Sequence, residues 1–318
     1  MSYLTTASLV LMLGALSLSA CSAAVESSKL EDHARREVPV PICLKALERR
    51  SSAGASNATP ADYWSLVLPS YDPGASTIDR SAPDCAGREV FSNALFQEAE
   101  GSRTGNIPAK SEDLVVSPGA NDFKVLWLRA QTFGNGDAGG PLALARPRQG
   151  TAEVYAIGLY RGNATSSRFA IERLGPRMLV TASDEGCTNV KAGQPCQTKL
   201  DVFLMHAGQL VTVANLVLDR IQYGTAPGVA GGVQYRMTAT PVFEAKSLRV
   251  TEQVVVRDST QTAIRKSNLD RRFELKGGML VASSGSLWDQ VVASPSNSAP
   301  APASAPPAAP PPKPTHGK

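Results

Sequence analysis

The strongest constraint on what this chain can fold into is a change of hydrophobic period near Asp113. From there onward apolar residues recur at every second position. Leu248, Val250, Val254 and Val256 alternate with Arg249, Thr251, Gln253 and Arg257, the pattern of a strand with one buried and one wet face. Phe123–Arg129 and Glu153–Tyr160 are rich in β-branched and aromatic residues, with glycine-rich stretches between them. Phe169–Val180, Phe203–Val211 and Phe273–Val281 each read strand, turn, strand, with Gly175, Gly208 or Gly277–Gly278 at the turn. Glycine there supplies the positive φ that a tight hairpin requires. The copies are irregularly spaced, which excludes a propeller or a solenoid. The expected fold is mainly β: an antiparallel meander forming a sandwich or an open barrel.

Helix is a minor component, confined to the N-terminal part. Leu44–Arg50 is expected to form a short helix. Thr59-Pro60-Ala61-Asp62 offers an N-cap, a proline at the first helical position and a capping-box acid. That places a second short helix through Tyr63–Val67, ending before Pro69.

The two ends differ from the body. The first twenty residues carry no Lys, Arg, Asp, Glu or His, and Leu9–Leu18 is an apolar run of signal-sequence length rather than bilayer length. Leu18-Ser19-Ala20-Cys21 follows. This segment resembles the lipobox of bacterial lipoproteins. The resemblance implies cleavage before Cys21, diacylglycerol on its sulfur and acylation of its amine. Multiple acyl chains hold a protein at a membrane where a single chain does not. Ser22 after the cysteine, in place of Asp, implies passage to the outer membrane. At the other end, nine of the 23 prolines fall between Pro295 and Lys318. Proline alternating with Ala and Ser has no donor for a ladder and little to bury, so a disordered, extended tail is expected. The organisation read from the sequence is a signal peptide at 1–20, a tether at 21–40, a β-rich domain at 41–290 and a Pro/Ala-rich tail at 291–318.

With Cys21 lipidated, Cys43, Cys85, Cys187 and Cys196 remain. Four cysteines in an exported chain suggest two disulfides, with three pairings open. Cys187 and Cys196 flank a polar loop, which favours their pairing and leaves Cys43 with Cys85. Neither pair has zinc-knuckle spacing, and no histidine adjoins them, so no metal site is expected.

Chemistry-bearing motifs are scarce. Gly136-Asp137-Ala138-Gly139-Gly140-Pro141 resembles the nucleophile segment of trypsin-like serine proteases, with Ala138 where the serine belongs. Alanine carries no nucleophile, and a glycine-rich turn between Phe133 and Leu142 accounts for the same residues. His206 is the only histidine in the expected fold, placed beside a hairpin turn. His33 lies in the tether and His316 in the tail. No phosphate-cradling, dinucleotide, metalloprotease or nucleophile-elbow motif occurs in its required context, so no catalytic residue and no cofactor is assigned. The net charge of +4 is spread over several segments among acids, which speaks against a nucleic-acid partner. The resulting expectation is a lipid-anchored envelope lipoprotein with a non-enzymatic binding or structural role. Its partners would be the membrane, through the lipid, and an envelope protein or cell-wall polymer. The alternative is a hydrolase of cell-wall or extracellular polymer that uses paired carboxylates.

Overall fold

The computed structural model describes residues 39–47, 58–91, 106–148, 150–184, 187, 193–226 and 228–292. The signal peptide, Cys21, almost all of the tether and the proline-rich tail from residue 293 lie outside the described residues. Among the described residues no helix is long and apolar enough to cross a membrane.

The chain is mainly β, as its period predicts. Fourteen strands form one large, mostly antiparallel open sheet, and two short strands pair separately. The first wing runs β4 (Leu114–Pro118), β5 (Lys124–Leu128), β7 (Asp137–Arg148) and β8 (Thr151–Asn163), with the short β6 (Gln131–Thr132) also on β7. The second comprises β9 (Arg168–Leu174), β10 (Arg177–Ser183), β11 (Cys196–His206) and β12 (Gln209–Gly224). The third continues through β13 (Val233–Phe243), β14 (Leu248–Arg257), β15 (Ala263–Lys276) and β16 (Met279–Ala282).

The three predicted hairpins are present. β9 and β10 turn at Gly175, with φ 62°. β11 and β12 turn at Ala207–Gly208 (φ 46° and 74°), and β15 and β16 at Gly277–Gly278 (φ 58° and 84°). Two positive φ values in succession define the turn whose twist matches that of paired strands.

Alternation distributes the side chains between layers. Val180 and Phe203 point into a core shared with Val125, Trp127, Leu142 and Leu144 of the first wing. Leu179, Val202 and Leu204 point the opposite way, against Leu248, Val250 and Phe273 of the third wing. Strands β10 and β11 are therefore covered on both faces, which explains their continuous apolar runs. Trp127, Tyr160 and Phe169 meet at ring-centroid distances of 5.1–5.5 Å, in the tilted and edge-to-face geometries that aromatic quadrupoles favour.

Helix α1 (Pro60–Val67) forms as expected. Thr59 accepts from the Asp62 amide, and the Asp62 carboxylate accepts from the Thr59 amide at 2.9 Å. Its Trp64, Leu66 and Val67 cover the outer face of the first wing, together with Leu126, Leu128, Ala143 and Ala145. A second helix, α2 (Leu287–Val292), was not anticipated. It packs Leu287, Trp288 and Val291 onto Val254 and Val256, so ordered structure extends past the expected boundary at residue 290.

Two local expectations are corrected. The segment expected to begin a helix at Leu44 is instead β1 (Cys43–Ala46), paired antiparallel with Thr151–Val154 of β8. An isolated helix this short is marginal, whereas the open edge of β8 offers ladder bonds and Cys43 is tied down by a disulfide. Residues 48–50 of that expected helix lie outside the described residues. The glycine-rich stretch 134–140 also forms less turn than expected. The turn ends at Gly136, and Asp137 onward belongs to β7. Gly140 sits in the strand where the chain passes very close: a Cβ on it would lie 1.8 Å from the Leu128 carbonyl oxygen. Gly140→Ala is therefore expected to destabilise the protein by about 3 kcal/mol, read as a lower urea midpoint. Gly136→Ala meets no atom at its Cβ but must hold a φ of 87°, so it should cost about 1–2 kcal/mol from backbone strain alone.

Candidate functional site

All four body cysteines are brought together as the favoured pairing has it. Cys43 bonds Cys85 with a Cα–Cα distance of 6.0 Å, and Cys187 bonds Cys196 at 5.9 Å. The first bridge pins β1 to the loop after β2 (Thr77–Asp79). That short strand pairs with β3 (Asn106–Pro108). The second closes the polar loop between β10 and β11, where the Cys187 amide donates to Asp219 at 3.1 Å. Two disulfides indicate an extracytoplasmic protein. Among the described residues no group of three His, Cys, Asp or Glu is placed to hold a metal. His206 ends β11, opposite Gln209 and exposed. Ala138, at the protease-like position, is buried in β7 at 1 % exposure, away from solvent as well as without a nucleophile.

A cleft of about 540 Å³ lies where β8 and β12 part. These two strands run parallel and share a single pairing, Ile157 with Gln209. They approach closely because residue 158 is glycine: a Cβ there would lie 2.5 Å from the Leu210 carbonyl oxygen. Beyond that point they diverge. Val90, Ile157 and Leu210 form an apolar floor, and the exposed Glu89, Gln209 and Thr212 form a polar rim.

A buried ion pair builds the wall. Asp84 accepts from the Ala86 and Arg88 amides at 2.8 and 3.0 Å and from Arg88 Nε at 3.0 Å, with the guanidinium Nη2 in ion-pair contact at 2.9 Å. Arg88 donates onward to the Gly208 carbonyl at 3.1 Å. With Oδ1 held by two backbone amides and Oδ2 by the guanidinium, the carboxylate is fixed in geometry as well as in charge. Both groups are thereby committed to structure, and the cleft offers shape and backbone edges rather than an acid–base pair.

A second cavity of about 210 Å³ lies between β12, the third wing and α2. Its organising group is Glu252, 3 % exposed. Glu252 accepts from Arg271 at 2.5 Å, from Ser286 at 3.2 Å and from the Leu287 amide at 2.6 Å. Arg220 stacks 4.6 Å from the Trp288 ring. Glu252 was missed in reading the sequence, although strict alternation puts it on the buried face between Val250 and Val254. An acid at a core position of a strand is the signal that identifies it.

A third polar cluster closes one end of the core between the first two wings. Buried Tyr160 lies 3.0 Å from Ser167, whose hydroxyl approaches Asp184 at 2.9 Å and the Asn163 carbonyl at 2.8 Å. Burial pushes the Tyr160 hydroxyl up. Nearby Asp201 accepts from Asn215 at 2.9 Å. Its carboxyl is pushed up to about 6, chiefly by burial, with Asp184 raising it and Lys199 opposing. The cluster thus holds two carboxyl groups, Asp201 raised chiefly by burial and Asp184 accepting from Ser167.

Comparison with known proteins finds no matching family model, curated sequence or solved structure.

The pH dependence follows from Asp201. Its folded value lies above the ordinary 3.8, so the folded state holds that proton more tightly than the unfolded one. The stability this contributes is fully present below about pH 4 and is lost as pH rises through about 6. Asp201→Asn keeps an acceptor for Asn215 and removes the titration. Because Asp201 is only partly buried, solvent screening cuts the effect below the full value of the shift, and the variant is expected to gain roughly 1–2 kcal/mol over the natural chain at pH 8 relative to pH 4, measured by thermal melts at both.

Proposed function

We propose that the protein is a lipid-anchored lipoprotein of the cell envelope, held at the outer membrane through Cys21, with a non-enzymatic binding or structural role. The observation that carries this reading is the cysteine inventory. The chain has five cysteines, and the two disulfides use four of them. Cys21 is left with no cysteine of its own chain to pair with, and it stands directly after Leu18-Ser19-Ala20. Both facts suit a thioether-linked diacylglycerol and an oxidising compartment.

The cleft at the β8–β12 junction supports binding over catalysis, because its one ion pair is consumed by the protein itself. An apolar floor with a polar rim is the ordinary form of a recognition site. The partner this reading calls for is an envelope protein or a cell-wall polymer. Lipidation is tested by separating membrane and soluble fractions of the full chain and taking the mass of its N-terminus. The natural chain should partition with membranes and carry diacylglycerol on Cys21, and Cys21→Ala should lose both. A natural chain that is mature, soluble and unlipidated would overturn the proposal.

A second reading, hydrolysis of a wall or extracellular polymer, is favoured by one observation: the raised Asp201 beside Asp184. Retaining and inverting glycoside hydrolysis both need such a pair flanking a bond. On this reading purified chain releases reducing ends from wall polymer, and Asp201→Asn abolishes the release. Equal release by both chains, or none by either, eliminates it.

A further inference from the structure

Among the described residues, the edge of β15 is the longest strand edge without a partner strand on one side. Its inner edge pairs with β14 in unbroken register from Arg265 to Phe273. Its outer edge pairs with β16 only from Phe273 to Lys276, and Ser283 extends that contact by one residue. The Ser283 amide donates to the Arg272 carbonyl at 2.8 Å, and the Arg272 amide donates to the Ser283 hydroxyl at 3.3 Å.

That pair of bonds fixes the phase of the strand. In an antiparallel ladder, alternate residues turn their N–H and C=O to opposite neighbours. Arg272 turns both outward, so Asp270, Asn268 and Lys266 do the same, with no strand opposite them among the described residues. Their side chains stand on the exposed face of the sheet. Two are already held in place: Asp270 accepts from Thr251 at 2.6 Å, and Asn268 accepts from Gln253 at 3.1 Å. Lys266 has no ion-pair partner among the described residues.

We propose that this edge pairs with the same edge of a second copy of the chain, antiparallel, about a two-fold axis through Asn268. That register sets Asn268 opposite its own copy and Lys266 opposite Asp270 of the partner, twice by symmetry. It uses the three open backbone positions and stops where Ser283 closes the edge, giving about six inter-strand hydrogen bonds. The sheet then continues from one copy into the next through an isologous contact.

Charge selects the register. Opposite charges directly across a strand pair are favourable and like charges are not. Moving the pairing one step toward β16 sets Lys266 against Arg272, and moving it the other way sets Asp270 against Ile264. On the inner face the chosen register puts Arg265 opposite Arg271, and the Arg271 charge is already answered by Glu252 at 2.5 Å. Charged residues on an edge ordinarily discourage association. Here their order is self-complementary about one residue, which turns a deterrent to strangers into a code for the same strand.

The test uses the full chain in native membranes and in the soluble fraction. Asn268→Cys places two thiols across the axis at a separation a disulfide can bridge, and Gln253→Cys, one strand inward, is the control. Oxidation should trap a dimer with Asn268→Cys and not with Gln253→Cys. In the Asn268→Cys background, Lys266→Asp or Asp270→Lys alone should reduce the trapped dimer about tenfold, and the two together should restore it to within about threefold. Trapping no greater than the control, or a double swap as poor as either single swap, would overturn the proposal. Because both fractions are assayed, the outcome does not depend on lipidation.

Discussion

The fold hangs on β12. Along one edge it pairs with β11 from Gln209 to Ile221, while its other edge is divided between two neighbours. Gln209 meets Ile157 of β8 at one end, and Asp219–Gly224 pair with β13 at the other. A single strand of the second wing thus joins it to both of the others. Its bulges between Val202 and Phe203, and between Thr198 and Lys199, measured on β11, let it turn while staying paired. Between its two outer partners, Leu210–Leu218 has no strand alongside it among the described residues, and the larger cleft opens there. The site is a by-product of the way one strand is shared.

Buried carboxylates do the fastening that apolar packing does not. Asp84 holds the 84–88 loop to the β11–β12 turn through Arg88. Asp219 takes the Cys187 amide and Arg236 at 3.0 Å. Glu252 receives the first amide of α2 while neutralising Arg271. In each case the carboxylate accepts backbone N–H groups together with a guanidinium, the combination that offsets the cost of taking a charge out of water. Each also lies where a non-sheet element meets the sheet: a disulfide-linked loop in two cases and a terminal helix in the third. Core residues set the layers, and these acids set where loops and helix land on them.

Much of this was legible in the sequence. A period of two is a local property that survives any tertiary arrangement, so the strands, the three hairpins and the Thr59–Asp62 capping box were readable residue by residue. The cysteine pairing was legible because the short polar loop between Cys187 and Cys196 singles out one partner. What could not be read depends on non-local neighbours. Leu44–Ala46 became a strand because β8 had an edge to offer. Gly140 entered a strand where another backbone crosses close by. The sharing of β12 is a property of topology, invisible in its own residues. The candidate site shares that invisibility: Val90, Ile157 and Leu210 are unremarkable apolar residues until three separate segments converge.

Glu252 shows where local reading could have gone further. Once Leu248, Val250, Val254 and Val256 are assigned to one face, position 252 has no freedom and must be buried. A buried acid needs partners, and on β14 the nearest donors come from the strand opposite. Arg271 faces Val250 in the ladder, one step along the same inner face, so the strand pattern and the pairing together predict the ion pair. The same parity logic, carried to the other face and the outer edge, puts Lys266, Asn268 and Asp270 in solvent with their backbone groups unmatched. Burial of charge on one face and its exposure on the other are thus two consequences of a single alternation. The first is resolved within the chain, and the second leaves an edge that only another strand can complete.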